Sequence, residues 1–233
     1  MDAADRDAWF ASPQGRFVLD SERALMERAL AEVFGFVMVE AGRWGAPGTL
    51  LGARRTASLV EAAAEGAEAK ALSCLAAESV DAVVLPHTLE SAGSPHGVVR
   101  ESERVLTGDG HLVVLGFNPW SLWGARRRVG PQRFPFDQPH CISDARLGDW
   151  LALLGLETVA VHRHLHGLPL ESEGGLKRAA FLDRWGARSW PRLAGGYVLV
   201  ARKRRLSGTP LRAVRERSAP PFGSPVTARR DAA

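Results

Sequence analysis

The chain of 233 residues is sparing in the features that mark several protein classes. Its only cysteines are Cys74 and Cys141. Two thiols so placed fit no zinc-ligand spacing and build no disulfide scaffold, so both are expected as reduced thiols of a cytoplasmic protein. No apolar run approaches the roughly 18–20 residues of a membrane helix. The longest, around Val80–Leu85 and Leu112–Phe117, are strand-sized. Met1–Asp20 carries Asp2, Asp5 and Asp7 and has no apolar core segment, so it does not read as a secretory signal. What is abundant is ordinary apolar content: 45% of residues are hydrophobic, enough at this length for one domain with a full core and some appended material.

The net charge of +4 is unevenly spread. Arg202–Arg205, Arg212, Arg215, Arg217, Arg229 and Arg230 crowd the C-terminal end, together with Pro210, Pro220, Pro221 and Pro225. Residues 206–233 have almost no aliphatic periodicity and cannot offset their ordering entropy, so they read as a basic disordered tail. Such a tail either neutralises nucleic-acid phosphates or is merely solvated, and Phe222 alone is available for base stacking.

Upstream, periodicity predicts alternating strands and helices. Ser21–Phe34 reads as a helix with Leu25, Ala29, Leu30 and Val33 on one face and Gly35 as its stop. Phe36–Val39 reads as a short buried strand that runs into the glycine-bearing turn Glu40-Ala41-Gly42-Arg43-Trp44-Gly45. Thr56–Val60 is a weaker strand. Val80–Leu85 is apolar on both faces, as in the middle of a parallel sheet, and Pro86 stops it. Ser94 and Pro95 open a helix to about Leu106, Gly108-Asp109-Gly110 is a turn, and His111–Gly116 is a strand. Ser143 caps a helix over Asp144–Leu154, and Leu156–Val161 and Tyr197–Ala201 are the last strands. This pattern predicts βαβ units and a mostly parallel sheet with helices on both faces. The domain is expected over residues 1–205, with the N-terminal helix at 21–34 and the α/β core at 36–203. Its connections at 117–141 and 162–196 are long enough to form functional surface.

Ser79–Glu90, then Ser94-Pro95-His96, Val99–Leu106 and Gly108–Leu115, resemble in order and spacing the fourth strand, following helix and fifth strand of the class I S-adenosylmethionine-dependent methyltransferases of the type 11 family. Phe117–Gly124 is similar to one bacterial branch of it, and the wider resemblance runs from Phe36 to Lys203. The resemblance implies a Rossmann-like α/β fold, S-adenosylmethionine as cofactor and methyl transfer to an acceptor that the sequence does not name. In such a fold the ligand lies across the carboxyl ends of the strands at a switch point.

On that basis Glu40, Gly42, Gly45, Glu61, Pro86 and His87 are the cofactor-binding candidates. Glu61 stands about 20 residues beyond Glu40, the separation expected of a ribose-binding acid. Two departures stand out. Arg43 and Trp44 are bulky where the family has small residues, so Trp44 either covers the cofactor or fills its space. Ala71–Leu75 offers no acid where the family places one toward the adenine. These departures motivate an alternative: a non-catalytic methyltransferase-like binding or scaffold module, contacting nucleic acid through the basic tail.

His87 follows the fourth strand of the family and is the candidate general base; its other reading is a turn histidine bonded locally. Phe117, Asn118, Trp120 and Trp123 either line the acceptor site or anchor the long loop to the core. His162, His164 and His166 alternate after a strand, but no acid or cysteine completes a set, and no metal is expected.

Overall fold

A computed structural model describes residues 8–42, 44–45, 48–62, 68–129, 140–167, 175, 185–186 and 188–204. Arg43, the tail 206–233 and, within the expected long connections, residues 130–139, 168–174, 176–184 and 187 lie outside those residues. The elements are α1 (Pro13–Leu30), β1 (Phe34–Ala41), β2 (Arg55–Ala62), α2 (Glu68–Ser73), β3 (Val80–Pro86), α3 (Thr88–Ser91), α4 (Pro95–Val105), β4 (Leu106–Phe117), α5 (Leu122–Val129), α6 (Asp144–Leu153), β5 (Leu156–His164) and β6 (Gly196–Lys203), with a 3-10 turn at Pro191–Leu193.

The strands form a six-stranded sheet in the order β2-β1-β3-β4-β6-β5. β2, β1, β3 and β4 are mutually parallel, and β6 runs antiparallel between β4 and β5. The expected mostly parallel sheet is therefore present, with its reversal confined to β6. Successive strand residues serve opposite faces. On β3, Val83 and Leu85 pack on one side while Ala82 and Val84 pack on the other. Leu112 and Val114 of β4 join the first side, Val113, Leu115 and Phe117 the second. The first side is covered by α2, α4 and α6 through Leu72, Val98, Val99, Leu147 and Leu151. The second is covered by α1 through Val18, Met26, Ala29 and Leu30, and by Leu50 and Leu51. Each such aliphatic side chain taken from water contributes about 1.5–3 kcal/mol.

The N-terminal helix does not run over 21–34 as its sequence suggests. It starts at Pro13, where Ser12 accepts a hydrogen bond from the Gly15 amide and proline takes the first-turn position that needs no donor. It ends at Leu30, and Phe34 already belongs to β1. Helix α4 begins as expected, with Ser94 accepting from the Gly97 amide. The expected Gly108–Gly110 turn is instead a bulge inside β4. Its pairing jumps from Leu106 opposite Val80 to His111 opposite Ala82, with Asp109 at φ 72°. β5 continues beyond Val161 to His164 because its residues keep pairing with β6 as far as Gly196.

Between Phe34 and Met38, β1 has not yet reached its pairing with β3. There the Asp81 carboxylate substitutes for a strand partner: Oδ2 accepts from the amides of Phe36 at 2.7 Å and Val37 at 3.1 Å. Its Oδ1 accepts from the Thr107 hydroxyl at 3.3 Å, tying β1, β3 and the β4 bulge together. Asp81→Ala strands these donors and is expected to lower unfolding free energy by about 1–3 kcal/mol, read from urea melts. A loss within experimental scatter would show that water replaces the carboxylate at no cost.

Candidate functional site

The carboxyl ends of β1 and β3 meet beside one another in the centre of the sheet, where the chain leaves in opposite directions to β2 and to β4. This is the switch point at which α/β sheets hold ligands. Glu40 and Glu61 are register partners on β1 and β2, so the two acids stand side by side at this edge. Glu61 is exposed, whereas Glu40 is buried. Burial is the main influence on Glu40 and raises its pKa; the Gly48 amide, donating to it, pulls the other way and Glu61 pushes further up, for a value of about 7. Gly42 follows at φ 112°, and a Cβ there would lie 2.2 Å from Thr88 Oγ1. The Thr88 hydroxyl in turn donates to the Ala41 carbonyl at 2.6 Å. Only glycine lets the turn after β1 lie this close to the turn after β3.

His87 leaves β3 with a left-handed backbone (φ 52°, ψ 25°) and starts the one-turn helix α3. Its ring is buried between two carboxylates. Nε2 lies 2.9 Å from Glu22 Oε1, and Nδ1 lies 3.3 Å from Glu90 Oε1. Glu22 comes from α1 on the far side of the crevice, where it is fully buried. Its other oxygen accepts the indole N–H of Trp44 at 2.6 Å. The Trp44 and Phe117 rings both pack on His87 with centroids 4.1 Å away, and the Phe117 amide donates to Glu90 Oε1 at 2.8 Å. Five side chains from four segments thus close one buried cluster. Burial is the largest influence on His87 and draws its pKa down, but the charge and hydrogen bonds of Glu22 and Glu90 more than reverse this and set it at about 9. At neutral pH His87 is therefore an imidazolium, which donates from both nitrogens and has no lone pair to accept a proton.

Of the residues singled out from sequence, Glu40, Gly42, Gly45, Glu61, Pro86 and His87 all fall at or beside this edge. Pro86 is the buried last residue of β3. Trp44 is 5% exposed and belongs to the packed face under α1. Phe117 touches His87, while Trp123 is buried and donates to the Gly167 carbonyl. Asn118 bridges the long connections: its side-chain amide donates to the Arg192 carbonyl at 2.9 Å, and its main-chain amide to Gly195. Trp120 is 68% exposed. His164 lies 3.1 Å from the Ser21 hydroxyl of α1, so this histidine helps to seat α1 on the sheet. Among the described residues, no group of three or more His, Cys, Asp or Glu is placed to hold a metal ion, and no helix is long and apolar enough to cross a membrane. Glu22 was not singled out in the sequence. Its signal is a carboxylate at helical spacing within an apolar stripe, Val18-Glu22-Met26-Ala29, to which extending the helix back to Pro13 adds Val18.

The strand order and the site at the switch point define a Rossmann-like methyltransferase fold. Solved structures share it. An S-adenosylmethionine-dependent methyltransferase from Thermotoga maritima superposes with a TM-score of 0.55 at 16% identity, covering 86% of this chain and 95% of its own. One from Archaeoglobus fulgidus gives 0.50 at 14% identity, covering 79% and 94%. The profile of the methyltransferase domain family matches residues 47–114, which begins just past the Glu40–Gly45 turn and takes in β2, β3 and most of β4. Residues 47–114 are thus similar to that methyltransferase domain family, and the solved structures share the fold of the chain as a whole. The uncharacterized protein YafS of Escherichia coli is 37% identical over 129 residues, 54% of this chain and 50% of YafS. An uncharacterized protein of Mycobacterium tuberculosis is 32% identical over 191 residues, 72% of this chain and 63% of that protein. The chain thus spans half to under two thirds of the curated relatives it matches.

Both raised pKa values carry a stability signature. A group whose folded pKa exceeds its unfolded value stabilises the fold fully below the unfolded value and loses that contribution as pH rises through the folded one. For Glu40 the loss runs from 4.5 to about 7, and for His87 from 6.5 to about 9. Unfolding free energy from urea melts is expected to fall across this whole window. Glu40→Gln should remove the lower part of the fall and His87→Gln the upper part. A free energy that stays level or rises between these limits would contradict both assignments.

Proposed function

We propose that this chain is an S-adenosylmethionine-dependent methyltransferase whose cofactor lies across the carboxyl ends of β2, β1 and β3. The observation that carries this reading is the pairing of Glu40 with Glu61 across β1 and β2, immediately before the Gly42 turn. An exposed acid at the end of β2 is placed to accept from the two ribose hydroxyls, and the turn gives backbone access to the cofactor. Pro86 and His87 border the same edge. The residues present fit the ribose of the group; on the other side, Trp44 occupies the turn and packs on His87.

S-adenosylmethionine supplies an electrophilic methyl group on a sulfonium. Displacement at that carbon depends mainly on holding the two reactants in line, so the role of this chain is positioning and exclusion of water. Of Phe117, Asn118, Trp120 and Trp123, Phe117 is the candidate for the acceptor side, through its contact with His87. As an imidazolium, His87 serves here as a hydrogen-bond donor and a fixed positive charge, not as the general base its position suggests.

One observation favours a second reading, a non-catalytic module: the buried Trp44 ring, bonded to Glu22, in the turn where small residues are expected. Calorimetric titration with S-adenosylmethionine and S-adenosylhomocysteine separates the two. Binding is expected, with Glu61→Ala weakening it about tenfold through loss of a carboxylate acceptor. Absence of binding at millimolar ligand, both in the natural chain and in Trp44→Ala, would overturn the enzyme reading. Binding only by Trp44→Ala would favour the module.

A further inference from the structure

The buried cluster has more acceptor and more negative charge than its own donors satisfy. Glu22 uses both oxygens, one for the Trp44 indole and one for His87. Glu90 uses only Oε1, which takes the Phe117 amide and lies beside His87 Nδ1. Its Oε2 is buried and has no hydrogen-bond partner, and Glu90 as a whole is 2% exposed. Among the described residues, no Lys or Arg forms an ion pair with Glu22 or Glu90; His87 is the single cation facing two carboxylates. A buried carboxylate oxygen left without a donor is destabilising, because water has been removed and nothing replaces it. The aromatic faces of Trp44 and Phe117 border the same cluster, and such faces favour a cation placed over them.

We propose that Glu90 Oε2, in the cluster that Phe117 and Trp44 border, is a subsite for a protonated amine carried by the methyl acceptor. This rests on the methyltransferase reading above and names the substrate class for it. The subsite selects an alkylammonium over a neutral hydroxyl of the same shape: the ammonium supplies both the missing donor and the missing positive charge, whereas a hydroxyl supplies only the donor. Entry requires Trp44 to shift, since its ring and Phe117 close the cluster on the crevice side.

The test uses matched pairs on the full chain, with and without saturating S-adenosylhomocysteine: phenethylamine against phenethyl alcohol, and butylamine against butanol. Affinities come from calorimetry, and the ring nitrogens of His87 are followed by NMR as the local reporter. The amines are expected to bind about tenfold to a hundredfold tighter than the alcohols, the range of a hydrogen bond to a charged group. Their binding should move the His87 resonances. Glu90→Gln, which keeps the Oε1 contact to the Phe117 amide, should bring amine and alcohol to near parity and leave S-adenosylhomocysteine affinity within about twofold. The comparison of amine with alcohol needs no variant, so it stands even if Glu90→Gln folds poorly.

Equal affinity within each pair, failure of every amine to bind, or an undiminished preference in Glu90→Gln would overturn the subsite. Loss of S-adenosylhomocysteine affinity in Glu90→Gln, with amines adding nothing to the cofactor-loaded chain, would assign the cation to the ammonium of the cofactor itself and overturn the acceptor assignment. Amine preference without any S-adenosylhomocysteine binding would leave the subsite standing and sink the methyltransferase reading instead.

Discussion

The constraint on which the central edge of this molecule depends is that Glu22, His87 and Glu90 must satisfy one another out of water. Charged groups of this kind are retained in protein interiors only when paired and hydrogen-bonded, since desolvating each alone costs several kcal/mol. That requirement links segments far apart in the chain. Glu22 can reach His87 only if α1 lies flat on the sheet, and His87 can face Glu22 only with its left-handed backbone at the end of β3. Trp44 then closes the arrangement by donating to the remaining oxygen of Glu22. The turn after β1, helix α1 and the turn after β3 are thus fixed by one set of hydrogen bonds, and a change in any of them is felt by the others.

The same cluster shapes the functional reading. A sheet of this order concentrates ligand-binding groups at the carboxyl ends of its central strands, because the connections diverge there and leave a crevice. In this chain one side of that crevice holds the exposed Glu61 and the half-titrating Glu40, and the other holds the aromatic and ionic cluster around His87. On the proposed reading the first side would take hydroxyls and the second a cation. Methyl transfer between a nucleoside-bearing sulfonium and an amine would use both, and the two are separated by only the Gly42 and Thr88 contact between adjacent turns.

Much of the fold was legible before any coordinates. The apolar runs at β3 and β4, the Ser94-Pro95 and Ser143 caps, and the acid followed by glycine after β1 are local patterns with local physical causes, and they fell where expected. The misjudged pieces are those in which local and tertiary preferences compete. Ser21 looked like the start of a helix, but Ser12-Pro13 offers an equally good start and the sheet rewards the longer helix by burying Val18 and Met26. Gly108–Gly110 reads locally as a turn, but the pairing of Leu106 and His111 with β3 on either side holds it as a bulge within a strand.

The sequence alone determined the alternation of strands and helices and the parallel core, because hydrophobic periodicity and caps act over a few residues. Tertiary structure decided what those residues are to one another. Glu22 is 65 positions from His87 and belongs to a helix with no motif of its own, so nothing short of the packing of α1 against the sheet could identify them as partners. It is that partnership, through the charge of the two carboxylates in a dry interior, that turns His87 from a candidate base into a bound cation and leaves Glu90 with an oxygen to offer.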